Sequence, residues 1–525
     1  MNKKIWKALG IAVCMLALAA PRAMAKTYEV GTEDKFAEAV QEINKKSSDV
    51  ENEIVLMQDI TLDGDTTYTL SRGRTTIKGE GHNISIKSKA GITVAGKDTV
   101  LNLGAEKYDG VLTIDGDTRN GFVSVSEGAT ANMYGNVTLQ NRMSTDNACV
   151  VIMGSDPVTG SKSVFNMYGG VIENCSRAVI ADSGATFHMF DGEIKDCRAG
   201  GNRVISVNGG SKFIMDGGTI SGCTAGAGGG LYVVSSTLNI KDGTISKCFV
   251  SDTGKGGGLF ADNSTLTISG GTIKGNKAAY GGGVALRNSR VKEEEPITSW
   301  TVVDNEAYKT DTGSGYIGGG IYLENGSMDV SDGSNRIYNN KADGHGADIF
   351  LEGGTSAIKL PNAANMGAKY HDSGINIDNW YNDNPRYTPS ENGQVVKANK
   401  WLNGGLSLVA SYKADPVRIE INANGGVGGS SSQTVQKGTT VTLEAPTKEG
   451  HLFTGWKDEK GNSYPAGEDG KVKITATGDM TLTAEWKKLP SAENLPKTGD
   501  ESPVLLWGAA LAVSAAACFM LRRRK

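Results

Sequence analysis

"FNMYGGVIENC" at residues 165–175 is a phrase that the chain repeats four more times. The later copies end at Cys197, Cys223, Cys248 and Asn276, at steps of 22, 26, 25 and 28 residues. A period of this size indicates one structural unit that is stacked on itself.

Each copy alternates short apolar and polar positions, and Gly, Asn, Asp and Ser separate these runs. This pattern is typical of short strands joined by tight turns, and it leaves no room for a crossover helix. Each unit is therefore expected to form one turn of a solenoid of parallel strands. Equivalent residues of successive turns would then stack at the inter-strand spacing of roughly 4.8 Å.

The registers predict three inward columns. Two are apolar and stand eight and three residues before the end of each copy, and the third consists of the final residues. These columns are Met167, Met189, Met215, Ile240 and Ile268; Ile172, Ile194, Ile220, Ile245 and Ile273; and Cys175, Cys197, Cys223, Cys248 and Asn276. Stacked asparagines can bond along such a ladder. Buried thiols are favoured for the cysteines, because in-register side chains hold the Cβ atoms slightly too far apart for a disulfide. Disulfides or a redox role are the alternatives.

This pattern resembles the right-handed parallel β-helix proteins of the pectin-lyase-like fold, in particular the Gly-Gly-rich repeat adhesins of bacterial surfaces, over residues 51–415. The predicted fold class is all-β. Residues 26–50 are expected to form a strand and a capping helix, with Thr32 as N-cap and Phe36, Val40 and Ile43 on one face. The segment "INIDNWYNDNPRY" (375–387) resembles the closing segments of related surface proteins.

Residues 417–487 have a different texture, with Asn424-Gly425-Gly426, Gly455-Trp456 and Trp486 as their marks. They are similar to the Listeria–Bacteroides repeat, the B-repeat of internalins. The resemblance implies a small β-grasp-like module that serves as a spacer or interaction unit. Trp456 and Trp486 are expected in its core rather than in a ligand site.

The first 25 residues have a basic start, an apolar stretch and Ala23-Met24-Ala25, which predicts a secretory signal peptide cleaved before Lys26. An uncleaved membrane anchor is the alternative. At the other end, a linker (488–494) precedes residues 495–525. These carry "LPKTG", an apolar transmembrane segment (504–521) and the tail "RRRK".

This arrangement resembles the sorting signal of Gram-positive cell-wall proteins, in which L-P-x-T-G corresponds to Leu495, Pro496, Lys497, Thr498 and Gly499. The resemblance implies that sortase cuts between Thr498 and Gly499 and joins Thr498 to peptidoglycan. The membrane would hold the chain only transiently. The chain is therefore predicted to be secreted and anchored covalently in the cell wall.

The full chain has 54 basic and 58 acidic residues. Removal of the signal and the sorting tail takes away eight basic and two acidic residues, which leaves 46 against 56, a net charge of about −10. This balance argues against a nucleic-acid partner, because such binding neutralises phosphates. The five scattered histidines make no metal-binding spacing. No metal, cofactor or catalytic residue is predicted.

The position after each inward methionine faces outward and holds Tyr134, Tyr168, Phe190 and then Asp216. Exposed aromatic strips often mark contacts with partners or glycans. The chain is therefore predicted to be an adhesin that binds a host or environmental glycan or glycoprotein, and not an enzyme. A loop at residues 142–163 that covers the strip is one alternative. A polysaccharide lyase or glycoside hydrolase and a passive stalk are the others.

Two glycine-containing motifs are not predicted to be nucleotide-binding or catalytic sites. The recurring "GGG" phrases are expected to be turns, because no G-x-G-x-x-G spacing with a following helix accompanies them. "DGHGAD" around His345 echoes one polygalacturonase motif, but that family's other motifs are absent from the expected places.

Overall fold

The computed structural model describes a set of segments that covers most of the chain: residues 25–46, 50–107, 110–144, 147–156, 158–201, 203–251, 253–292, 300–309, 316–330, 336–353, 355–360, 375–382, 401–403, 406–414, 416–436, 440–467 and 469–489. The chain divides into two compact units between Lys413 and Ala414.

The first unit is a solenoid in which the chain visits three long sheets once per turn. In the first sheet, neighbouring strands are Lys26–Val30, Glu51–Leu56, Arg74–Lys78, Val100–Leu103, Thr130–Met133, Val164–Met167, Thr186–Met189, Lys212–Met215, Thr237–Ile240, Thr265–Ile268, Arg290–Lys292, Ser327–Asp329, Ala357–Lys359 and Trp401–Asn403. In the second, they are Ile60–Leu62, Asn83–Ile86, Leu112–Asp115, Val137–Gln140, Val171–Glu173, Glu193–Lys195, Thr219–Ser221, Thr244–Ser246, Thr272–Lys274, Thr301–Val303 and Arg336–Tyr338.

The third sheet follows the second in every turn, and a short fourth sheet lies between them in the later turns. The third sheet contains Thr67–Leu70, Gly91–Ala95, Val123–Ser126, Val150–Met153, Val179–Asp182, Ile205–Val207, Leu231–Val234, Leu259–Asp262, Val284–Arg287, Ile321–Glu324, Ile349–Glu352, Ser407–Ala414 and Ile375–Asn382. The fourth contains Thr224–Ala225, Phe249–Val250, Lys277–Ala278, Glu306–Ala307 and Lys341–Ala342. Strands of successive turns pair in parallel, so the prediction of an all-β parallel β-helix is confirmed.

The predicted apolar columns are the core of the solenoid. Met167 pairs with Met189 and Met189 with Met215, and the isoleucine column stacks in the same way through the second sheet. All ten side chains of the two columns are buried. Inside the first sheet, Phe165, Phe187 and Phe213 also stack, with ring centroids 5.5 and 4.7 Å apart. Equivalent side chains thus fill the interior layer by layer, as parallel in-register pairing requires.

The third predicted column is also buried, and its four cysteines are thiols in the structure. Beyond Asn276 the column continues with Asn305 and Asn340. Asn276 N and Nδ2 donate to Asn305 Oδ1 at 3.0 and 2.9 Å, and Asn305 repeats both bonds to Asn340 Oδ1. We call Cys175, Cys197, Cys223, Cys248, Asn276, Asn305 and Asn340 the Cys–Asn ladder.

A buried carboxylate ends this ladder. Asp348 Oδ1 accepts from Asn340 N at 3.0 Å, and its Oδ2 accepts from Ala410 N at 2.8 Å. "DGHGAD" therefore has a structural role, since its last residue joins the ladder to the closing strand Ser407–Ala414.

The "GGG" phrases are turns, as predicted, and close packing explains their composition. A Cβ on the middle glycine would lie within 2.4 Å of a backbone atom in all four phrases, at Gly229, Gly257, Gly282 and Gly319. A Cβ on the third glycine, for example Gly283, would lie 2.9 Å from a ladder side chain, here Asn305. Only glycine leaves room for the fourth sheet and the ladder together.

Both ends of the solenoid are covered as expected. Thr32 Oγ1 accepts from Lys35 N at 3.2 Å at the start of helix α1 (Glu33–Asn44), and Phe36, Val40 and Ile43 are buried. At the far end, strands Trp401–Asn403 and Ser407–Ala414 pair antiparallel to the last turn. The predicted closing segment supplies strand Ile375–Asn382, and residues 383–387 lie outside the described residues.

The second unit contains a five-stranded sheet in the order Gln433–Gln436, Pro416–Asn422, Met480–Lys488, His451–Asp458 and Ser463–Pro465, and a pair formed by Thr440–Leu443 and Val472–Thr475. Its first and last long strands are parallel neighbours. Trp456 is buried, which confirms its predicted core position. Trp486 is half-buried and packs edge-on against Phe453 at 5.7 Å.

Candidate ligand-binding face

The aromatic strip lies on the outer side of the first sheet. Tyr134, Tyr168 and Phe190 each follow a strand whose last residue is an inward methionine. The Tyr168 and Phe190 N–H groups each donate at 2.8 Å to the methionine carbonyl of the preceding turn. Parallel pairing therefore places the three aromatic residues at one point of three successive turns.

The three rings form a continuous stack. The Tyr134 and Tyr168 ring centroids are 5.3 Å apart at an interplanar angle of 18°, and those of Tyr168 and Phe190 are 4.7 Å apart at 14°. The Tyr168 residue is 42% exposed, and its two neighbours are partly exposed. Because the ring faces cover one another, the stack presents mainly ring edges to solvent over about 10 Å.

The stack ends differently on its two sides. In the preceding turn, the residue equivalent to Tyr134 is Gly104, so no side chain continues the stack there. At the other end the His188 ring lies against Phe190, with centroids 3.6 Å apart. One end therefore meets a glycine and the other an imidazole.

A ladder of amides runs beside the rings, two residues earlier in each strand. Asn132 Nδ2 donates to Asn102 Oδ1 at 2.8 Å, and Asn166 Nδ2 donates to Asn132 Oδ1 at 2.9 Å. His188 occupies the next position of this column. The face thus combines an apolar strip with oriented hydrogen-bonding groups, a combination that is common in ligand sites.

A charged cluster continues the strip past Phe190. His188 Nε2 lies 3.1 Å from Asp216 Oδ2, and Lys241 Nζ lies 3.1 Å from Asp216 Oδ1. Partial burial works against ionisation of Asp216, but the contacts with His188 and Lys241 outweigh it and leave the pKa of Asp216 below its ordinary value. Asp216 is therefore a carboxylate at neutral pH.

We expect Asp216→Asn to lower the free energy of unfolding at pH 7 by less than about 1 kcal/mol, because the ion pair is partly exposed. Since the folded-state pKa is lowered, this contribution is present above the unfolded pKa of about 3.9 and is lost as the pH falls through the folded value. Urea unfolding of both proteins from pH 7 to pH 2.5 measures it. A difference that does not shrink in acid, or that is unchanged in a Lys241→Gln background, would contradict this assignment.

The alternative in which a loop covers the strip is not supported by the described part of residues 142–163. Arg142 is buried and donates to the carbonyl oxygens of Asn120 and Ser144. Ser155 and Lys162 form an antiparallel bridge, and Ser161 lies beside Gly128, away from the rings. Three aromatics on other sheet positions, Phe260, Tyr322 and Phe350, lie in a second buried cluster.

Other predicted site residues are not tested. Ala23 and Leu495, Pro496, Lys497, Thr498 and Gly499 lie outside the described residues, as does the predicted membrane segment. Lys26 is the first residue of strand Lys26–Val30. Among the described helices, none is long and apolar enough to cross a membrane. In the same part of the chain, no three His, Cys, Asp or Glu side chains gather in a way that could hold a metal ion.

The sequence prediction missed His188 and the Asn102–Asn132–Asn166 ladder. The sequence signal was available, because each of these asparagines stands one residue before an inward apolar residue: Leu103, Met133 or Met167. His188 stands where the preceding turns have asparagine. Its contacts with Phe190 and Asp216 therefore could not be inferred from a repeated residue type.

The fold defines the first unit as a parallel β-solenoid built from repeats. Residues 416–490 match the family model described as the divergent InlB B-repeat domain. No curated protein and no solved structure matches the chain. A repeat module of the InlB type in the same chain as a β-solenoid suggests a surface or adhesin-like repeat protein.

Proposed function

We propose that this chain is a sortase-anchored cell-wall protein of a Gram-positive bacterium that binds a glycan or glycoprotein through the outer face of its first sheet. The observation that carries the binding role is the exposed stack of Tyr134, Tyr168 and Phe190 beside an amide ladder. Ring edges offer apolar surface that the C–H groups of a sugar can cover, and amides and carboxylates pair with its hydroxyl groups. Such a ligand needs no deep cavity.

The length of the face favours an extended ligand. Stacked rings of about 10 Å are followed along the solenoid axis by Asp216 and Lys241, one turn apart. An oligosaccharide lying along the axis would meet the aromatic part and the charged part together. The opposite charges of Asp216 and Lys241 neutralise each other, so the face does not require a strongly charged polymer.

Anchoring and export rest on the two ends of the sequence. The signal peptide would deliver the chain across the membrane, and the sorting signal would join Thr498 to peptidoglycan. Sortase and peptidoglycan are then its assembly partners, and the mature surface carries a net negative charge. The InlB-type module at residues 416–490 would act as a spacer or interaction unit.

Replacement of Pro496 and Thr498 together by alanine is expected to abolish covalent wall attachment, because both residues belong to the sortase motif. Muramidase digestion of cells, followed by mass measurement of the released protein, detects the peptidoglycan adduct. Lys497→Ala is the matched control, since it changes the variable position of L-P-x-T-G. Continued wall linkage of the double variant would contradict sortase anchoring.

The binding role is tested by immobilising the full chain and exposing it to mucus glycoproteins and plant polysaccharides. Mass spectrometry then reads which molecules are retained and whether they are intact. Retention of an intact glycan supports the adhesin. Shortened chains in the wash would make the protein a polysaccharide-degrading enzyme, and the absence of both retention and cleavage would leave the role of a passive stalk.

A further inference from the structure

Among the described turns, one pair of cysteines, Cys149 and Cys175, occupies two different but neighbouring positions of the turn. The residue just before each third-sheet strand lies next to the ladder residue of the following turn. A Cβ on Gly230 would lie 3.1 Å from Cys248 Sγ, and a Cβ on Gly258 would lie 2.9 Å from Asn276 Nδ2. The proximity of these two positions therefore recurs in different turns of the solenoid and does not depend on one local contact.

At Cys149 and Cys175 both of these positions carry a thiol. Cys149 precedes strand Val150–Met153, and Cys175 is the ladder residue of the next turn. Their Sγ atoms are 2.7 Å apart. Two non-bonded heavy atoms usually stay roughly 3.5–4 Å apart, whereas a disulfide needs about 2.05 Å.

This geometry differs from that within the ladder. Cys175, Cys197, Cys223 and Cys248 occupy one position in successive parallel turns, so their Cα–Cβ bonds point the same way. Cys149 and Cys175 approach from different positions of the turn, and their side chains converge. The parallel geometry that disfavours a disulfide within the ladder does not apply to them.

We propose that Cys149 and Cys175 form a disulfide in the exported protein, while Cys197, Cys223 and Cys248 remain thiols. The oxidising environment that this bond needs rests on the export proposed above. The geometric argument is independent of that proposal. A low-molecular-weight or protein disulfide supplies the oxidant. One cysteine thiolate attacks it and releases one thiol, and the second cysteine thiolate then attacks the mixed disulfide and releases another. Two protons leave the cysteines, and the oxidant is reduced to two thiols.

Cys175 is the cysteine placed to react first. It lines a pocket of about 360 Å³ with Met143, Asn174, Asp196 and Arg198. The contact with Cys149, then that with Cys197, lowers the pKa of Cys175, and the buried Arg142 acts in the same direction. Burial raises the pKa of Cys149. Cys175 thus supplies the attacking thiolate and Cys149 closes the bond.

The bond would link the two turns on which the aromatic stack begins. Cys149 belongs to the turn of Tyr134, and Cys175 belongs to the turn of Tyr168. A covalent link restricts separation of these turns in the unfolded chain and in local opening. Oxidation is therefore expected to stabilise the candidate face without changing its surface.

The test treats the purified full chain with oxidised glutathione, then denatures it and alkylates the free thiols. Peptide mapping is expected to show one cross-link, between Cys149 and Cys175, and alkylation of Cys197, Cys223 and Cys248. The oxidised chain should unfold at a higher urea concentration than the reduced chain. Cys149→Ala should abolish both effects, and Cys197→Ala should retain the cross-link.

Alkylation of Cys149 and Cys175 after this treatment would overturn the proposal, as would a cross-link between Cys175 and Cys197. Because the treatment is made on purified protein, failure here reports on the geometry alone. Protein taken from the cell surface is mapped separately. A cross-link that forms with glutathione but is missing from the cell-surface protein would overturn the proposal for the exported protein and would question export, while the geometry would stand.

Discussion

Replacement of Asn305 by leucine is expected to lower the free energy of unfolding of the solenoid by about 3–5 kcal/mol. Asn305 Oδ1 accepts from Asn276 N and Nδ2, and Asn305 Nδ2 donates to the carbonyl oxygen of Ile273. Leucine satisfies none of these buried groups, and leaving each unpaired costs about 1–3 kcal/mol. The branched leucine side chain would also crowd Gly283, because the Asn305 side chain already lies close to this glycine.

Urea unfolding of the full chain, combined with native-state hydrogen exchange around residues 273–307, measures this effect. Hydrogen exchange is needed because stacked turns can open locally before the whole solenoid unfolds. Asn239→Leu is the matched control, since Asn239 faces outward on the first sheet. It should change stability by less than about 0.5 kcal/mol. Equal effects of the two substitutions would refute a stabilising role for the ladder. Asn305→Ala, which adds no volume, keeps the test usable if the leucine variant does not fold.

Tyr168→Ala is expected to weaken binding of the retained glycan by about 30-fold, equivalent to about 2 kcal/mol. Tyr168 is the middle ring of the stack, so its loss leaves a gap between Tyr134 and Phe190. The remaining rings would no longer form one strip of edges. Surface plasmon resonance with the immobilised chain measures the change in dissociation constant.

Phe249→Ala provides the control for this prediction. Phe249 is also a partly exposed ring in a stack, 5.5 Å from Tyr308, but it lies on the fourth sheet. It should leave glycan affinity within about twofold, as expected for a residue outside the interface. Unfolding curves of both variants exclude a general loss of structure. Undiminished binding by Tyr168→Ala would remove the stack from the proposed site.

Repetition explains why so much of the solenoid could be predicted from the sequence. In parallel in-register turns, a residue's surroundings consist of its equivalents above and below, so Met189 could be assigned to the core from Met167 and Met215 alone. The same logic identified the aromatic strip, because each of its three aromatic residues directly follows an inward methionine. Position within the repeat, and not intrinsic propensity, carried the information.

Contacts between different offsets could not be obtained in this way. Cys149 approaches Cys175 from another corner of the turn, and Asp348 reaches Asn340 only because the glycine of earlier turns is replaced there. His188 against Phe190 depends on side-chain direction within one strand. Such contacts require the shape of the turn, which the repeat period does not specify.

The spacing also concealed the full extent of the Cys–Asn ladder. Asn305 and Asn340 follow longer steps than the earlier members, 29 and 35 residues. Insertions in those turns lengthen the sequence step without moving the ladder position, because the added residues need not enter the strands. A search for a constant period therefore ends at Asn276, although the column continues to Asn340.

Hydroxyl-radical footprinting of the full chain, with and without the retained glycan, tests the central claim most directly, because it labels aromatic side chains in proportion to their exposure. The account predicts that the glycan reduces labelling of Tyr134, Tyr168 and Phe190 and leaves that of Phe249 unchanged. Unchanged labelling of the three rings, with protection elsewhere on the chain, would contradict the assignment of the binding face to the first sheet.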